Sequence, residues 1–318
     1  MLYFTEDDVR RMLSMSECIR LMRETFKALR DGTAQSQPRR RMFMPEGSVL
    51  HAMAGSITMQ SGGSYFGTKI YGTHVKHGAH FFFHLFDSNT AQPLALMEAN
   101  WLGQIRTGAA SGYATDILSK PGAATVGLIG SGFQARSQLE ATLAVRPVKE
   151  VRVYSRSAEK RERFAAECSR AFSVNVRAVD SAESAVRGAE IVSTATWSKD
   201  PVLEAQWVEP DAHVNAMGSN NPDRRELPKS LLDRAALIAA DSIEQARIES
   251  GDLILAWTPK DWKSPKLVNL QDVEGLRADG ITIFKSNGLG VEDVAAAAFI
   301  YEQAILEPQA ADRYRAKR

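Results

Sequence analysis

Residues 124–135 read ATVGLIGSGFQA: a short apolar run, two glycines one residue apart, then a helix-forming stretch that begins near Gln134. Strand, glycine turn and helix in that order describe a dinucleotide phosphate loop. Gly130 allows the tight turn, and Gly132 has no Cβ to hold a pyrophosphate away from the backbone. Ala135 takes the third small position, where helix and strand pack closely. The helix start then offers unpaired N–H groups and a positive dipole end to phosphate. Ser131, Phe133 and Gln134 complete the loop and are expected beside the cofactor. Glycine turns between strand and helix are common, so context decides, and here a second strand, Val151 to Tyr154, follows one helix length later.

Outward from that loop the rhythm repeats. Apolar β-type runs at Val126–Ile129, Val151–Tyr154, Ile191–Thr194, His213–Ala216, Leu237–Ala240 and Ile281–Phe284 alternate with helical or loop segments. They predict an α/β fold with a Rossmann doubly wound parallel sheet. The first half differs. Thr5 with Asp8 marks a helix start, and Ile19, Met22, Phe26 and Leu29 form the apolar face of a second helix ending near Asp31-Gly32. Short strands between Arg40 and Asp87 are punctuated by turns at Pro45-Glu46-Gly47, Ser61-Gly62-Gly63 and His77-Gly78. A helix from about Glu98 to Leu118 and the Pro121-Gly122 break close this half. The expected organisation is an α+β dimerisation and substrate domain over 1–120, a Rossmann dinucleotide domain over 121–289, and a C-terminal helix over 290–318 that leaves the nucleotide domain and returns to the dimerisation domain.

Composition excludes several function classes. Thirty-nine basic residues against thirty-eight acidic ones leave no field to attract nucleic acid or an anionic membrane. Cys18 and Cys168 are far apart in sequence and suggest no disulfide framework or metal-ligand spacing, so a reducing cytoplasm is the expected compartment. The start, MLYFTEDDVRRML, places acids where a signal peptide needs a basic and then apolar stretch, and no apolar run spans a bilayer. His74, His77, His80 and His84 lie close in sequence, but His80 and His84 on one strand stand roughly 13 Å apart, too far to share an ion. No metal is expected.

Six segments in order, QPRRRM (37–42), FGTKIY (66–71), IRTGAAS (105–111), IGSGFQA (129–135), HVNAMGSNNPDRREL (213–227) and SNGLGVEDVAAA (286–297), resemble the ornithine cyclodeaminase and mu-crystallin family across nearly the whole chain. The resemblance implies a homodimer and nicotinamide chemistry on a small amino or imino acid bound between the two domains. It places Arg40, Lys69 and Arg106 at the substrate carboxylate. Arginine presents a planar fork to such a group, and lysine adds a point charge and a proton. Arg39 and Arg41 are read as surface cations.

Two departures from the family pattern bear on the reaction. Cyclodeaminases of the family carry an aspartate where this chain has Asn220 and a glutamate where it has His51. Asparagine can hydrogen-bond an amine but cannot exchange protons with it, which disfavours ornithine cyclisation with ammonia loss. Reduction of an imine asks for a held carboxylate, a proton for nitrogen and a hydride from the cofactor. Lys69 is the expected proton donor, with His51 or a water as the alternative. The expected activity is therefore that of an NAD(P)H-dependent imine or ketimine reductase, or an amino-acid dehydrogenase in reverse. The alternatives are a cyclodeaminase-type lyase and a nicotinamide-dependent small-molecule binding protein of mu-crystallin type.

Cofactor choice is read at the end of the second Rossmann strand. An acid there would bind ribose hydroxyls and repel a 2′-phosphate, whereas this chain has Ser155, Arg156 and Ser157, which favours NADP(H) over NAD(H). Thr194, Ala195 and Thr196 after one strand, and Met217 and Gly218 after another, are expected to line the dinucleotide. By resemblance, Asn287 to Asp293 lies near the nicotinamide.

Overall fold

The computed structural model describes residues 1–276, 278–306 and Tyr314, in two compact units, Met1–Arg106 with Gly288 onward, and Thr107–Asn287. Of the expected C-terminal segment 290–318, residues 307–313 and 315–318 lie outside the described part.

The first unit contains β1 (Leu2–Phe4), α1 (Glu6–Met12), α2 (Met15–Arg30), β2 (Ala34–Phe43), β3 (Ser48–Thr58), β4 (Ser64–His74), β5 (Gly78–Asp87), β6 (Pro93–Glu98), the first turns of α3 (Asn100–Leu118) and the last helix, α10 (Gly290–Leu306). Thr5 caps α1 reciprocally with Asp8, and α2 buries Ile19, Met22 and Phe26. The sheet runs β1-β6-β5-β4-β3-β2, antiparallel throughout except for the β1–β6 pair. Across β3, β4 and β5 the pairing is unbroken, so opposed residues share a face. One face carries Met53, Lys69, Tyr71 and Phe83, all buried. The other carries Met42, Leu50, Ile70 and Phe82, each at least 39% exposed. α10 starts in backbone contact with β3. A Cβ on Gly55 would lie 2.5 Å from the amide nitrogen of Val291, and one on Gly290 would lie 2.5 Å from the carbonyl of Ala54. Glycine at both positions lets the first turn of the helix press against the sheet.

The second unit holds the rest of α3, then β7 (Thr125–Ile129), α4 (Phe133–Val145), β8 (Glu150–Tyr154), α5 (Ala158–Phe172), β9 (Asn175–Ala178), α6 (Ala182–Val186), β10 (Ile191–Thr194), β11 (His213–Ala216), α7 (Lys229–Arg234), β12 (Leu237–Ala240), α8 (Ile243–Glu249), α9 (Gly251–Ile254), β13 (Leu267–Asn269) and β14 (Thr282–Lys285). Its eight strands are ordered β13-β12-β14-β11-β10-β7-β8-β9 and every pair is parallel. This is the doubly wound α/β fold expected from the strand rhythm, with two further strands, β9 and β13, at its edges. Chain order reverses between β7 and β10, and the crevice at such a reversal is where dinucleotides bind in this architecture. Arg146, at the end of α4, ties that helix to α3 through Ser119 Oγ, Asp116 and the carbonyl of Thr115.

Candidate active site

Alternation in β4 turns Tyr65, Gly67, Lys69 and Tyr71 toward the covered face, so Lys69 is the one charged side chain of that strand in the interior. It meets the first turn of α10: Lys69 Nζ lies 2.9 Å from Asp293 Oδ1 and 2.8 Å from Oδ2. Arg106, on α3, donates from Nε to Asp293 Oδ1 at 3.1 Å and from Nη1 to Glu292 Oε2 at 2.7 Å. Gly288 makes room for this guanidinium, since a Cβ there would stand 2.4 Å from Nη1. All four charged side chains are almost wholly shielded from water. Burial, and after it the charge of Arg106, push the Lys69 ammonium down to about 7, with Asp293 pulling the other way. A lysine so tuned can both give and take a proton at neutral pH.

In the QPRRRM segment the structure reverses the expected burial. Arg40 is exposed, while Arg39 is buried, with its Nε 3.4 Å from Met53 Sδ. The cause is a bulge: Gln37 pairs with Ala54 and Arg40 with Ala52, so Pro38 and Arg39 together face the single Met53. Arg39 thereby joins the Lys69 face, and its charge adds to the lowering at Lys69. His51 sits on the same face, opposite Tyr71 and stacked on it at 4.2 Å, with Nε2 2.9 Å from Thr73 Oγ1. Burial, then Arg41 and Arg39, lower its imidazolium to about 4, so His51 is neutral at physiological pH and a poor proton donor beside Lys69.

In the second unit the glycine loop has the form its sequence predicts. Gly130 adopts φ +118, and a Cβ there would meet the carbonyl oxygen of Ala195 at 2.4 Å. Gly132 is the N-cap of α4 with no side-chain cap, and a Cβ on it would find nothing within 4 Å. An uncapped helix start facing open space fits a phosphate group. Phe133 is exposed and Gln134 half-buried. Ser131 Oγ donates to Ser155 Oγ at 2.8 Å, and Ser157 Oγ accepts the N–H of Lys160 at the start of α5. Arg156, between those serines, is exposed.

The loops beyond β10 and β11 are joined by a carboxylate that sequence reading passed over. Glu226, fully buried, accepts from Thr194 Oγ1, from both the N–H and Oγ1 of Thr196, and from the N–H of Gly218. Thr194 is itself fully buried, which leaves Ala195, Thr196, Met217 and Gly218 as the half-exposed members of the expected lining. Asn220 is half-buried in the same loop region. Asp252 accepts the N–H groups of Glu226 and Leu227 and pairs with Lys285 Nζ at 2.8 Å. Burial, and then the charge of Asp252, raise the Glu226 carboxyl. Glu226 follows two arginines in a loop, and Asp252, Glu292 and Asp293 read as ordinary acids favouring a helix start. Only their burial sets them apart. Among the described residues no group of three or more His, Cys, Asp and Glu could hold a metal ion.

One unit thus carries a dinucleotide fold and the other a dry lysine–arginine–carboxylate cluster. The chain belongs to the ornithine cyclodeaminase/mu-crystallin family, whose model matches residues 2–307. It is 36% identical over 218 residues to the ketimine reductase mu-crystallin of Mus musculus, covering 69% of this chain and 67% of that protein. Alanine dehydrogenase of Archaeoglobus fulgidus is 31% identical over 324 residues, covering 96% of this chain and 95% of the relative. Among solved structures, Thermococcus litoralis Delta(1)-pyrroline-2-carboxylate reductase in complex with NADH and L-proline matches with TM-score 0.89 and 29% identity, covering 96% of this chain and 98% of the other.

Proposed function

We propose that this chain is an NAD(P)H-dependent oxidoreductase that reduces a small imino acid or ketimine and, in reverse, dehydrogenates the amino acid. The observation that carries the reading is Lys69, buried, lowered to about 7 and held between Asp293 and the charge of Arg106. A reduced nicotinamide supplies the hydride when bound. Residues 130–134 and the loops tied to Glu226 would hold the dinucleotide. Arg106 receives the substrate carboxylate and fixes the orientation of the imine carbon. Lys69 Nζ holds the proton that the imine nitrogen needs, and in the reverse direction takes one from the amine. Asp293 opposes the lowering of Lys69 and holds its ammonium in place.

NADP(H) is the preferred cofactor in this reading, because Ser155, Arg156 and Ser157 offer a cation and no acid where the adenine ribose would lie. The apolar outer sheet face of the first unit is the surface a second copy would cover in a homodimer. Buried, unpaired Cys18 and Cys168 are in keeping with a reducing cytoplasm. No helix among the described residues is long and apolar enough to cross a membrane. Asn220 argues against the cyclodeaminase alternative, which would release ammonia without net cofactor consumption. The test is NADPH and NADH oxidation with pyrroline and piperideine carboxylates, and with 2-oxo acids plus ammonia. Absence of oxidation with all of them, or ammonia release from ornithine without it, refutes the proposal.

A further inference from the structure

The rung of the sheet next to Lys69 carries polar chemistry that a substrate with one carboxylate leaves unused. Arg41, His51, Tyr71 and Phe81 are paired across β2, β3, β4 and β5, one pleat repeat from Met53, Lys69 and Phe83. His51 is 91% shielded, being 9% exposed, and its ring is fixed on both sides of the question: stacked on Tyr71 and bonded through Nε2 to Thr73. Its Nδ1 is buried and has no hydrogen-bond partner among the described residues. A buried ring nitrogen left unmatched costs free energy unless a ligand satisfies it. The Nε2–Thr73 contact suits either tautomer, and in the one where the Thr73 hydroxyl donates to Nε2, Nδ1 carries the hydrogen and is a donor. Arg41, the cross-strand partner of His51, and Arg39 place positive charge near this ring. A hydrogen-bond donor in a positive potential recognises an anion.

We infer that the substrate carries a second acidic group on its side chain, received by His51 Nδ1–H under the field of Arg41 and Arg39. The inference rests on the reading that the first carboxylate is held at Arg106 and Lys69. Adjacent rungs on one face are about 6.6 Å apart along a strand, comparable with the reach between the outer oxygens of a four- or five-carbon dicarboxylate. The substrate class is therefore the imine of a 2-oxo dicarboxylic acid, and the product an acidic amino acid.

The test compares oxaloacetate and 2-oxoglutarate, each with ammonia, against pyruvate with ammonia, in kcat/KM. A charge-assisted hydrogen bond predicts a preference of about tenfold or more for one of the dicarboxylic acids. His51→Leu should lower the dicarboxylate-to-pyruvate ratio by a similar factor, and His51→Asn, whose amide stands near the Nδ1 position, should restore part of it. Thermal midpoints of the unliganded variants verify that they fold. A parallel binding arm measures L-aspartate, L-glutamate and L-alanine by calorimetry with oxidised cofactor present. If turnover fails with every imine but an acidic amino acid binds tighter than alanine in a His51-dependent manner, the reductase reading falls and the second-acid site stands. Preference for pyruvate and alanine, or a ratio that His51→Leu leaves unmoved, overturns the inference.

Discussion

Asp293→Asn tests how this site sets its proton. The carboxylate touches Lys69 with both oxygens and is fully buried, so an isosteric amide keeps the volume and an acceptor while deleting the charge. An opposite charge at this range holds a lysine up by about 1 to 3 pKa units. Lys69, now at about 7, would then fall, and a two-unit drop is the middle expectation. At pH 7.5 the protonated fraction goes from about a quarter to about 0.3%, so kcat/KM for imine reduction should fall roughly 80-fold. Oxidation of the amine uses the neutral lysine, which already prevails at that pH, so the reverse reaction should change by less than about twofold. In the parent enzyme reductive kcat/KM should decline as pH rises through about 7, and oxidative kcat/KM should rise through the same region. Both limbs should move to lower pH in the variant. Initial rates across pH in both directions give the profiles. Equal losses in the two directions with unmoved limbs would refute the role given to Lys69 and Asp293.

Arg106→Ala removes the partner of two buried carboxylates, so the thermal midpoint should drop by the equivalent of about 3 to 5 kcal/mol, and kcat/KM for the imine by roughly 30-fold or more. Unchanged kinetics would take Arg106 out of the substrate site. Gly130→Ala places a methyl against the carbonyl of Ala195 at a positive φ, and should cost about 1 to 3 kcal/mol and weaken cofactor binding; calorimetric titration with NADPH reads it directly. Arg156→Asp should turn the cofactor KM ratio toward NADH with little change in kcat, and a ratio that does not move would show that this side chain does not meet the 2′-phosphate.

The nucleotide half was legible because parallel strands covered on both faces are written as continuous apolar runs, and all six of those read from sequence are strands. The strands that escaped notice are β1, with three residues, β9 and β13, which end the second sheet, and β6, six residues between β1 and β5 that open on Pro93 and run up to the start of α3. Lys69 and Arg106 could be placed by motif. Arg39 could not, because the bulge at Pro38 shifts the phase of β2 by one residue and three consecutive arginines carry no pattern to show it. The acids were harder still. Glu292 and Asp293 occupy the first turn of an alanine-rich helix, where acids are usual, and Glu226 follows two arginines in a loop. What distinguishes these acids is desolvation, which belongs to the tertiary structure and leaves no local trace in the chain.

The first sheet is apolar on both faces, so greasiness alone discriminates poorly between the native alignment of its strands and one displaced by a single residue. Such a slip would turn Ile70 toward Asp293 and strand the ammonium of Lys69 among Met42, Leu50 and Phe82. Asp293 would then lose one of its two cations and keep only Arg106, while the displaced ammonium would lie unpaired on an apolar surface, an unfavourable exchange for buried charges. The ion pair thus favours the native strand alignment over the displaced one. Lys69→Met should therefore do more than silence the reaction: amide hydrogen exchange across β3, β4 and β5 should become faster and heterogeneous, and uniform native protection in that variant would show that the turns alone hold the alignment.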